Sequence, residues 1–201
     1  MKQRAILLPA AGASSRMRGR DKLLEDVFGA PCLRVMAERS LESGAEVIVT
    51  VPSLEHARVT VLDGLDVTLV AVPDASEGMA ASLRRGAKAA EGCSALMVLP
   101  PDMPSLLVSD IKEMWRIFDV IKGPIILRAT TGCGEHGHPV IFDAAFLPAF
   151  QALSGDSGAA PILRAQPDAV RLHPLPDERA RADLDRPEDW AAWHRAQDAE
   201  E

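Results

Sequence analysis

Short apolar runs alternate with helical patterns through the first two thirds of this chain, and this alternation limits its possible folds more than any other feature. Each run is rich in valine, isoleucine and leucine and is apolar on both faces, which is typical of buried parallel strands. The runs span residues 5–8, 46–51, 67–72, 95–99, 124–127 and 139–142, and the helical patterns span 32–41, 79–90 and 106–121. The order predicts an α/β fold with helices on both faces of a sheet.

Size and charge restrict the organisation and partners of the protein. The 201 residues fit a single domain over 1–201, with an acidic stretch at 196–201 that is expected to fray. The net charge of -7 argues against a nucleic-acid partner, which calls for a basic face. No apolar stretch is long enough to cross a membrane, and the N-terminus lacks the apolar core of a signal peptide. The widely spaced Cys32, Cys93 and Cys133 suit a reducing compartment. We therefore expect a cytoplasmic protein with neither membrane nor nucleic-acid partners.

The segment that leaves the first strand has the composition of a phosphate-binding loop. The apolar run ends at Leu8, small residues follow at 9–13, and Arg16 and Lys22 come next. Small side chains let a ligand lie against the backbone, where successive N–H groups point at anionic oxygens. Neither G-x-G-x-x-G nor a Walker A pattern is present. The loop predicts a polyphosphate pocket at the carboxyl end of the strand, where α/β sheets bind ligands. The alternative is an ordinary Gly/Ala turn with surface cations.

Aspartates in two segments are candidates for binding a metal ion beside such phosphates. Asp102 follows the strand at 95–99 and lies among prolines that stiffen the chain. Mg²⁺ takes one or two carboxylates together with phosphate oxygens and waters. Alternation along an extended segment places Asp183 and Asp185 on the same side, so either is a candidate second metal ligand. The alternatives are an N-cap or turn role for Asp102 and an N-cap role for Asp185, just ahead of Pro187.

Further polar residues are predicted at the same edge of the sheet. Ser82, in a run of small residues after the third strand, offers a hydroxyl where a base or ribose would enter. His138 follows a Gly-rich loop and is expected to face the substrate cleft, while Asp156 or Ser157 is expected to open a short helix. We assign His138 and Asp156 to the acceptor side. A zinc site at 133–138 is disfavoured, because a closed site needs four ligands and this segment offers Cys, His and His.

Several short motifs occur along the chain in one order. The small-residue loop is followed by Ser-Arg-Met and Asp-Lys-Leu-Leu within 8–24. Further blocks lie at 78–83, 102–104, 137–140, 155–159 and 183–189. In this order the blocks resemble the MobA-like NTP transferases, and most closely their molybdenum cofactor cytidylyltransferase (MocA-like) branch. The resemblance covers nearly the whole chain. It implies a Rossmann-like three-layer α/β/α fold with a mostly parallel, mixed sheet, of the nucleotide-diphospho-sugar transferase type.

The same resemblance implies a magnesium-dependent nucleotidyltransferase. It would move a nucleotidyl group from an NTP, expected to be CTP, to the terminal phosphate of a molybdopterin-type cofactor and release pyrophosphate. Lys22, Arg16 and Asp102 would be catalytic, and Asp102 with Asp183 or Asp185 would bind the Mg²⁺ cofactor. The nucleotide-binding residues would be Leu8, Ala10, Ala11, Gly12, Ala13, Ser14, Arg16, Lys22, Ser82 and Asp102. Phosphoryl transfer relies chiefly on positioning and charge stabilisation, so no protein nucleophile is required.

The chain departs from the family pattern at positions that leave the acceptor open. Arg18 stands where the family usually has glycine, Ala160 where arginine is common, and Arg186 where threonine is common. A sugar phosphate or a phosphorylated alcohol is therefore an alternative acceptor. A further hypothesis is a non-catalytic maturation chaperone that binds a nucleotide and delivers the cofactor to a molybdoenzyme apoprotein. Retention of both loop cations together with Asp102 favours catalysis.

Overall fold

The computed structural model describes residues 3–198, which form a sheet between two layers of helices. The strands are β1 (Arg4–Pro9), β2 (Asp26–Val27), β3 (Ala30–Pro31), β4 (Glu46–Val51), β5 (Val67–Ala71), β6 (Ala95–Val98), β7 (Ile126–Thr130), β8 (His136–Asp143) and β9 (Val170–Pro174). The α-helices are α1 (Cys32–Glu42), α2 (Ala57–Thr60), α3 (Met79–Ala89), α4 (Val108–Val120), α5 (Ala160–Ala165) and α6 (Pro187–Asp198). The 3-10 segments include Ser15–Met17, Lys22–Leu24 and Ala144–Ala152.

The large sheet has seven strands in the order β5-β4-β1-β6-β8-β7-β9. β8 runs antiparallel to β6 and β7, and the other neighbouring strands are parallel. From β1 the chain builds outward through β4 to β5, and it then returns to place β6 on the other side of β1. The strand order therefore reverses at β1 and β6, which is where open α/β sheets bind ligands. The predicted mostly parallel, mixed sheet with helices on both faces is confirmed.

Alternating side chains of the sheet pack against a different helical layer on each face. On one face, Ile6 and Leu8 share a buried cluster with residues of α1, α4 and α6. On the opposite face, Leu7 packs with residues of α3, α5 and the 3-10 segment Ala144–Ala152. α3 lies directly on β1, since a Cβ added at Gly86 would come within 2.4 Å of the Leu7 side chain. This close contact fixes the start of α3 beside the carboxyl end of β1.

Some strands differ from the sequence prediction. β7 extends to Thr130 rather than ending at residue 127, and β8 spans His136–Asp143 rather than 139–142. β9 was not predicted because its sequence, V-R-L-H-P, alternates with polar residues, as suits a strand that pairs with β7 alone in the described sheet. The hairpin of β2 and β3 was not predicted because its two-residue strands are too short to show a period.

The last helix accounts for part of the expected frayed tail. α6 continues to Asp198, so residues 196–198 are helical, whereas 199–201 lie outside the described residues. Across the described part of the chain, none of the helices combines the length and apolarity needed to cross a bilayer.

Candidate functional site

A cavity of about 210 Å³ lies where the strand order reverses. Its lining includes the loop after β1 (Gly12–Arg16), Lys22, Pro100–Asp102 after β6, and Asp185 ahead of α6. These residues come from segments that are far apart in the sequence. The two predicted cations and the predicted aspartate therefore line the same cavity, at the edge of the sheet where the sequence predicted a polyphosphate pocket.

Four charged side chains form consecutive ion pairs across this cavity. Lys22 Nζ donates to Asp185 Oδ1 at 2.7 Å and also to Asp102 Oδ2. Arg16 Nη1 lies 2.5 Å from Asp185 Oδ2. The Arg16 side chain is 61% exposed, whereas that of Lys22 is 20% exposed. The two cations of the cavity are therefore matched by two carboxylates, and the exposed Arg16 side chain remains open to a ligand.

The pairing also sets the protonation state of the cluster. Burial alone would lower the pKa of Lys22, but the carboxylates of Asp102 and Asp185 outweigh burial and raise it. Burial alone would raise the pKa of Asp185, but its bond to Lys22 and the charge of Arg16 lower it. Lys22 is therefore a cation and Asp185 an anion at neutral pH. A charged lysine is the state that binds phosphate oxygens.

The loop after β1 presents free backbone donors beside the cations. Among residues 3–198, the N–H groups of residues 11–14 donate to no other protein group. Ser14 has a left-handed backbone conformation, with φ of 51°, and precedes a single 3-10 turn. Successive N–H groups in such turns form concavities that bind anions. The loop can therefore bind phosphate oxygens next to Arg16 and Lys22.

A buried arginine holds this loop in place. Arg58, in α2, is 2% exposed. Its guanidinium donates to the carbonyls of Ala10 and Gly12 at 2.6 and 2.7 Å and to Ser14 Oγ at 3.0 Å. It also donates to both carboxylate oxygens of Asp21 at 2.7 and 2.8 Å. Because Arg58 binds the loop at several points along its length, it fixes the path that directs the free N–H groups.

The proline-rich segment that contains Asp102 is held from α1. Cys32 Sγ donates to the Pro101 carbonyl at 3.1 Å, and burial raises the pKa of this thiol so that it remains a donor. Arg39 donates to two carbonyls just after Asp102, at 2.6 and 2.7 Å. The Leu184 N–H donates to the Asp102 carbonyl at 2.9 Å. This bond ties the segment ahead of α6 to the end of β6 and brings the two carboxylate-bearing segments together.

Asp102 retains a carboxylate oxygen that suits a metal ion. Its Oδ2 accepts from Lys22, whereas its Oδ1 is buried and has no hydrogen-bond partner in the described part of the chain. Leaving such an oxygen unpaired costs free energy. Within residues 3–198, no group of three or more His, Cys, Asp or Glu side chains could hold a metal. The unpaired Asp102 Oδ1 and the Asp185 carboxylate on the same cavity are the oxygen donors that an ion such as Mg²⁺ takes, together with phosphate oxygens and waters.

Asp183 and Asp185 are placed differently. Asp185 lines the cavity, whereas Asp183 is not part of the lining. Partial burial and repulsion by Asp102 raise the pKa of Asp183. The alternative in which Asp185 caps α6 is corrected, because the Asp189 carboxylate accepts the N–H groups of Asp185 and Arg186 at 3.1 and 2.9 Å. Asp185 is therefore the better candidate for the second metal carboxylate.

Some residues predicted to contact the nucleotide lie away from this cavity. Leu8 and Ala10 are fully buried, and the Ala10 N–H donates to the carbonyl of Thr50 at 2.9 Å. Ser82 is 3% exposed within α3 and does not line the cavity. The alternation of β1 and the packing of α3 on the sheet direct these side chains into the core. These residues therefore do not line the cavity, and their contact with a nucleotide stays a prediction, whereas the loop from Gly12 onward faces the cavity.

A second cavity, of about 290 Å³, adjoins the first and shares Pro9, Met79 and Pro100 with it. Side chains such as Val98 and Phe142, from one face of β6 and β8, form its floor. Residues of α3, of α5 and of the loop before α5 complete the lining. The shared wall brings a ligand in this cavity next to a ligand in the first, as a two-substrate reaction requires.

Arg128 of β7 and His138 of β8 line this second cavity. Arg128 Nε donates to the Gly137 carbonyl at 3.2 Å, and burial lowers the pKa of the guanidinium. Burial, reinforced by the charge of Arg128, lowers the pKa of His138 to about 4. The imidazole is therefore neutral at neutral pH, and its buried Nδ1 has no hydrogen-bond partner among the described residues. His138 lines a cleft, as predicted.

Asp156 stabilises α3 rather than opening α5. Its Oδ1 accepts the Met79 N–H at 3.2 Å. Gly78 allows this approach, because an added Cβ would lie 2.2 Å from the same oxygen and φ is +106°. α5 begins at Ala160 without a side-chain cap. The expected helix start at Asp156 or Ser157 is thus corrected: the carboxylate binds the N-terminus of α3, where the helix dipole favours negative charge, and lines the second cavity.

Sequence reasoning did not identify Arg58 or Arg128. Arg58 gives no local signal, because it lies in a four-residue helix and binds groups of the loop far earlier in the chain. Arg128 does give a signal, since it is the charged residue in the otherwise apolar and largely buried Ile126–Thr130. A charge in such a strand is expected to face a cavity or a partner.

Comparisons with known proteins identify the family and the fold of this chain. The family model described as the MobA-like NTP transferase domain matches residues 5–170. Nicotine blue oxidoreductase from Paenarthrobacter nicotinovorans is 30% identical over 191 residues, which cover 89% of this chain and 90% of that protein. A nucleotidyl transferase from Methanothermobacter thermautotroptrophicus superposes with a TM-score of 0.80 at 23% identity, covering 96% of this chain and 97% of the other. A CMP:2-keto-3-deoxy-manno-octonic acid synthetase complexed with CTP gives 0.77 at 14% identity, covering 99% and 100%. The solved structures share the fold, and the chain belongs to the MobA-like NTP transferase family.

Proposed function

We propose that this member of the MobA-like NTP transferase family transfers a nucleotidyl group from CTP to the terminal phosphate of a molybdopterin-type acceptor and releases pyrophosphate. The observation that carries the proposal is the cluster of Arg16, Lys22, Asp102 and Asp185 beside free backbone N–H groups. Carboxylates repel a triphosphate unless a metal ion lies between them. Their presence therefore favours a site for an NTP with a metal ion over a site that binds an anion alone.

The chain supplies position and charge in this reaction. An oxygen of the acceptor phosphate forms a bond to the α-phosphorus while the bond from the α-phosphorus to the bridging oxygen breaks, and pyrophosphate leaves with that oxygen. Lys22 and Arg16 release their carboxylates and stabilise the negative charge on the phosphoryl oxygens. The N–H groups of residues 12–14 orient the triphosphate. No side chain acts as a nucleophile.

Asp102 and Asp185 are the residues that would hold Mg²⁺. The support is the unpaired Oδ1 of Asp102 and the position of Asp185 on the same cavity. When bound, the ion supplies Lewis-acid neutralisation of phosphate charge. Lys22 bridges both carboxylates in the unliganded protein, so it offsets their repulsion until the substrate arrives.

The donor and the acceptor are proposed on separate grounds. CTP is supported by the resemblance of residues 8–24 to the cytidylyltransferase branch and by the shared fold of the CTP-bound synthetase. A molybdopterin-type acceptor is supported by the resemblance of the chain to the molybdenum cofactor branch and by the apolar floor of the second cavity, which suits a ring-bearing compound. A sugar phosphate is the competing acceptor.

A second candidate function is a redox reaction. It is favoured by the 30% identity to nicotine blue oxidoreductase, which is an oxidoreductase by name. The second cavity could hold the oxidisable or reducible compound. Against this candidate stands the cluster of Lys22, Asp102 and Asp185, which a redox reaction of a bound organic compound does not need.

Pyrophosphate release tests the proposal. The purified protein is incubated with Mg²⁺ and each of the four NTPs, with molybdopterin, glucose 1-phosphate or no acceptor. We expect release with CTP and molybdopterin, and a fall of about 100-fold or more in Lys22→Met. Arg116→Met, which removes an exposed cation on α4 outside both cavities, serves as the matched control and retains full activity.

The other outcomes separate the competing hypotheses. Pyrophosphate release with glucose 1-phosphate but not with molybdopterin would show that the acceptor is a sugar phosphate. Tight NTP binding without release in any mixture would favour the maturation chaperone. Absence of both NTP binding and release, together with acceptor-dependent oxidation of a nicotinamide cofactor, would favour the redox candidate.

A further inference from the structure

The second cavity contains a cation for which the transfer mechanism gives no role. Arg128 is half-buried, and within residues 3–198 it forms no ion pair with a carboxylate. Its Nε donates to the Gly137 carbonyl at 3.2 Å, while its terminal nitrogens have no protein acceptor in the same part of the chain. The terminal nitrogens of this half-buried guanidinium are open to the cavity, where the oxygens of a bound anion can pair with them.

The other polar groups of the cavity do not neutralise Arg128. His138 is neutral at neutral pH, since burial and the charge of Arg128 lower its pKa to about 4. Its Nδ1 is buried and lacks a hydrogen-bond partner in the described structure. Asp156 also lines the cavity, but its Oδ1 accepts the Met79 N–H at the start of α3. Within residues 3–198, Arg128 thus forms no ion pair, although the Asp156 carboxylate lines the same cavity, and the His138 Nδ1 has no partner.

The remaining surface of the cavity is mostly apolar. Val98, Val140 and Phe142 project from one face of the sheet, and Leu83 and Leu163 face them from the helical layer. A sugar needs hydrogen-bond partners for each of its hydroxyls, and burying hydroxyls against such a surface costs free energy. Burying the faces of a flat, weakly polar ring against the same surface is favourable in free energy.

We infer that Arg128 binds the anionic group of the acceptor and that the apolar floor binds a planar ring system attached to it. This inference rests on the proposed function, because it treats the second cavity as the acceptor site. The acceptor is then an organic phosphate with a ring-bearing, weakly polar body, and the fork of Arg128 pairs with two phosphate oxygens.

Binding of a model compound tests the inference without depending on nucleotidyl transfer. Phenyl phosphate is titrated into the protein by calorimetry, and the ring resonances of His138 are followed by NMR to locate the site. Glucose 1-phosphate supplies the anion without the flat ring, and phenol supplies the ring without the anion. We expect phenyl phosphate to bind at least about tenfold more tightly than either control and to shift the His138 resonances.

Variants then assign the anion contact. Arg128→Met is expected to weaken phenyl phosphate binding at least about tenfold, and Arg128→Lys to give an intermediate affinity because it keeps the charge without the fork. Arg116→Met, which removes an exposed cation on α4 outside both cavities, leaves this binding unchanged. Arg128→Met is also expected to unfold at the same urea concentration as the wild type or a higher one, since it removes an unpaired charge.

Three results would overturn the inference: equal binding by Arg128→Met and wild type, loss of phenyl phosphate binding in Lys22→Met with Arg128→Met unaffected, or tighter binding of glucose 1-phosphate. If pyrophosphate release is observed, Arg128→Met should also raise the KM for the acceptor with the KM for the NTP unchanged. Failure of the transfer assay alone leaves the binding result standing, so the two proposals fail separately.

Discussion

Replacing Arg58 by methionine tests whether the loop after β1 depends on this one buried side chain. Methionine fills much of the same volume but removes the guanidinium, which makes five hydrogen bonds. The carbonyls of Ala10 and Gly12 would lose their buried donor. Asp21 would keep only Ser14 Oγ at 3.2 Å and the Leu23 N–H at 3.0 Å.

The expected cost follows from the burial of the pair. Removing one partner of a buried ion pair costs about 3–5 kcal/mol, because an uncompensated charge remains. The Asp21 side chain is 20% exposed, so part of that charge can be hydrated, and we expect about 3 kcal/mol. For a chain of this size such a loss lowers the melting temperature by roughly 6–12 °C. Arg58→Lys keeps the charge but not the fork, and should lie about midway between wild type and Arg58→Met.

Urea unfolding followed by tryptophan fluorescence measures this difference. Burial alone would raise the pKa of Asp21, but its bonds to Arg58 and the charge of Arg58 lower it below the ordinary value of 3.8. A carboxyl with a lowered pKa stabilises the fold above that ordinary value and loses this contribution as pH falls through the folded pKa. The difference in the free energy of unfolding between wild type and Arg58→Met should therefore be largest at pH 7. It should become smaller below about pH 3.8.

If Arg58→Met lost less than about 1 kcal/mol in the free energy of unfolding, the reasoning would be refuted. The Arg58–Asp21 pair would then contribute no more than an exposed ion pair does. A loss that stays constant from pH 7 to pH 3 would also refute it, since the effect would then come from packing and not from the charge of Asp21.

Three further predictions concern other positions. In Lys22→Met the transfer rate should fall by about 100-fold or more, and the free energy of unfolding by about 3 kcal/mol, because the mostly buried Asp102 carboxylate loses its partner. Turnover near the wild-type rate would exclude Lys22 from the chemistry. Arg18 has φ of 53°, so Arg18→Gly should be about 1 kcal/mol more stable than Arg18→Ala in urea unfolding, both variants having lost the contact with Glu188; equal stabilities would contradict this. In Gly137→Ala the added Cβ would lie 2.0 Å from the Ala180 carbonyl oxygen, so a loss of about 3 kcal/mol is expected, whereas Gly12→Ala, with open space around its Cβ, should unfold near the wild-type midpoint.

Local sequence patterns were sufficient to predict the parallel strands of the sheet and the charged residues at its edge. The apolar run at 5–8 and the small residues after it are contiguous, so their structure follows from nearby residues. The ligand-binding role of Arg16, Lys22 and Asp102 was inferred from the general position of such residues at strand ends, and the structure brings them to one cavity. Their roles in binding and catalysis remain predictions.

Other features depend on contacts that no local pattern encodes. An apolar run shows that a strand is buried but not its direction, so the antiparallel course of β8 was not foreseeable. Arg58 and Asp21 are 37 positions apart, and only the folded chain brings them together. Asp156 was expected to begin the helix nearest to it in sequence, but it binds the start of a helix 77 positions away.

The wall formed by Pro9, Met79 and Pro100 has a consequence for how the family diversifies. Two of its members are prolines, whose fixed backbone keeps the boundary in place when neighbouring side chains change. Under the proposed function, mutations at Arg128 or along the floor of the second cavity would then alter which acceptor enters it without moving a triphosphate bound in the first cavity. A single scaffold can in this way acquire new second substrates while it keeps the same activated donor.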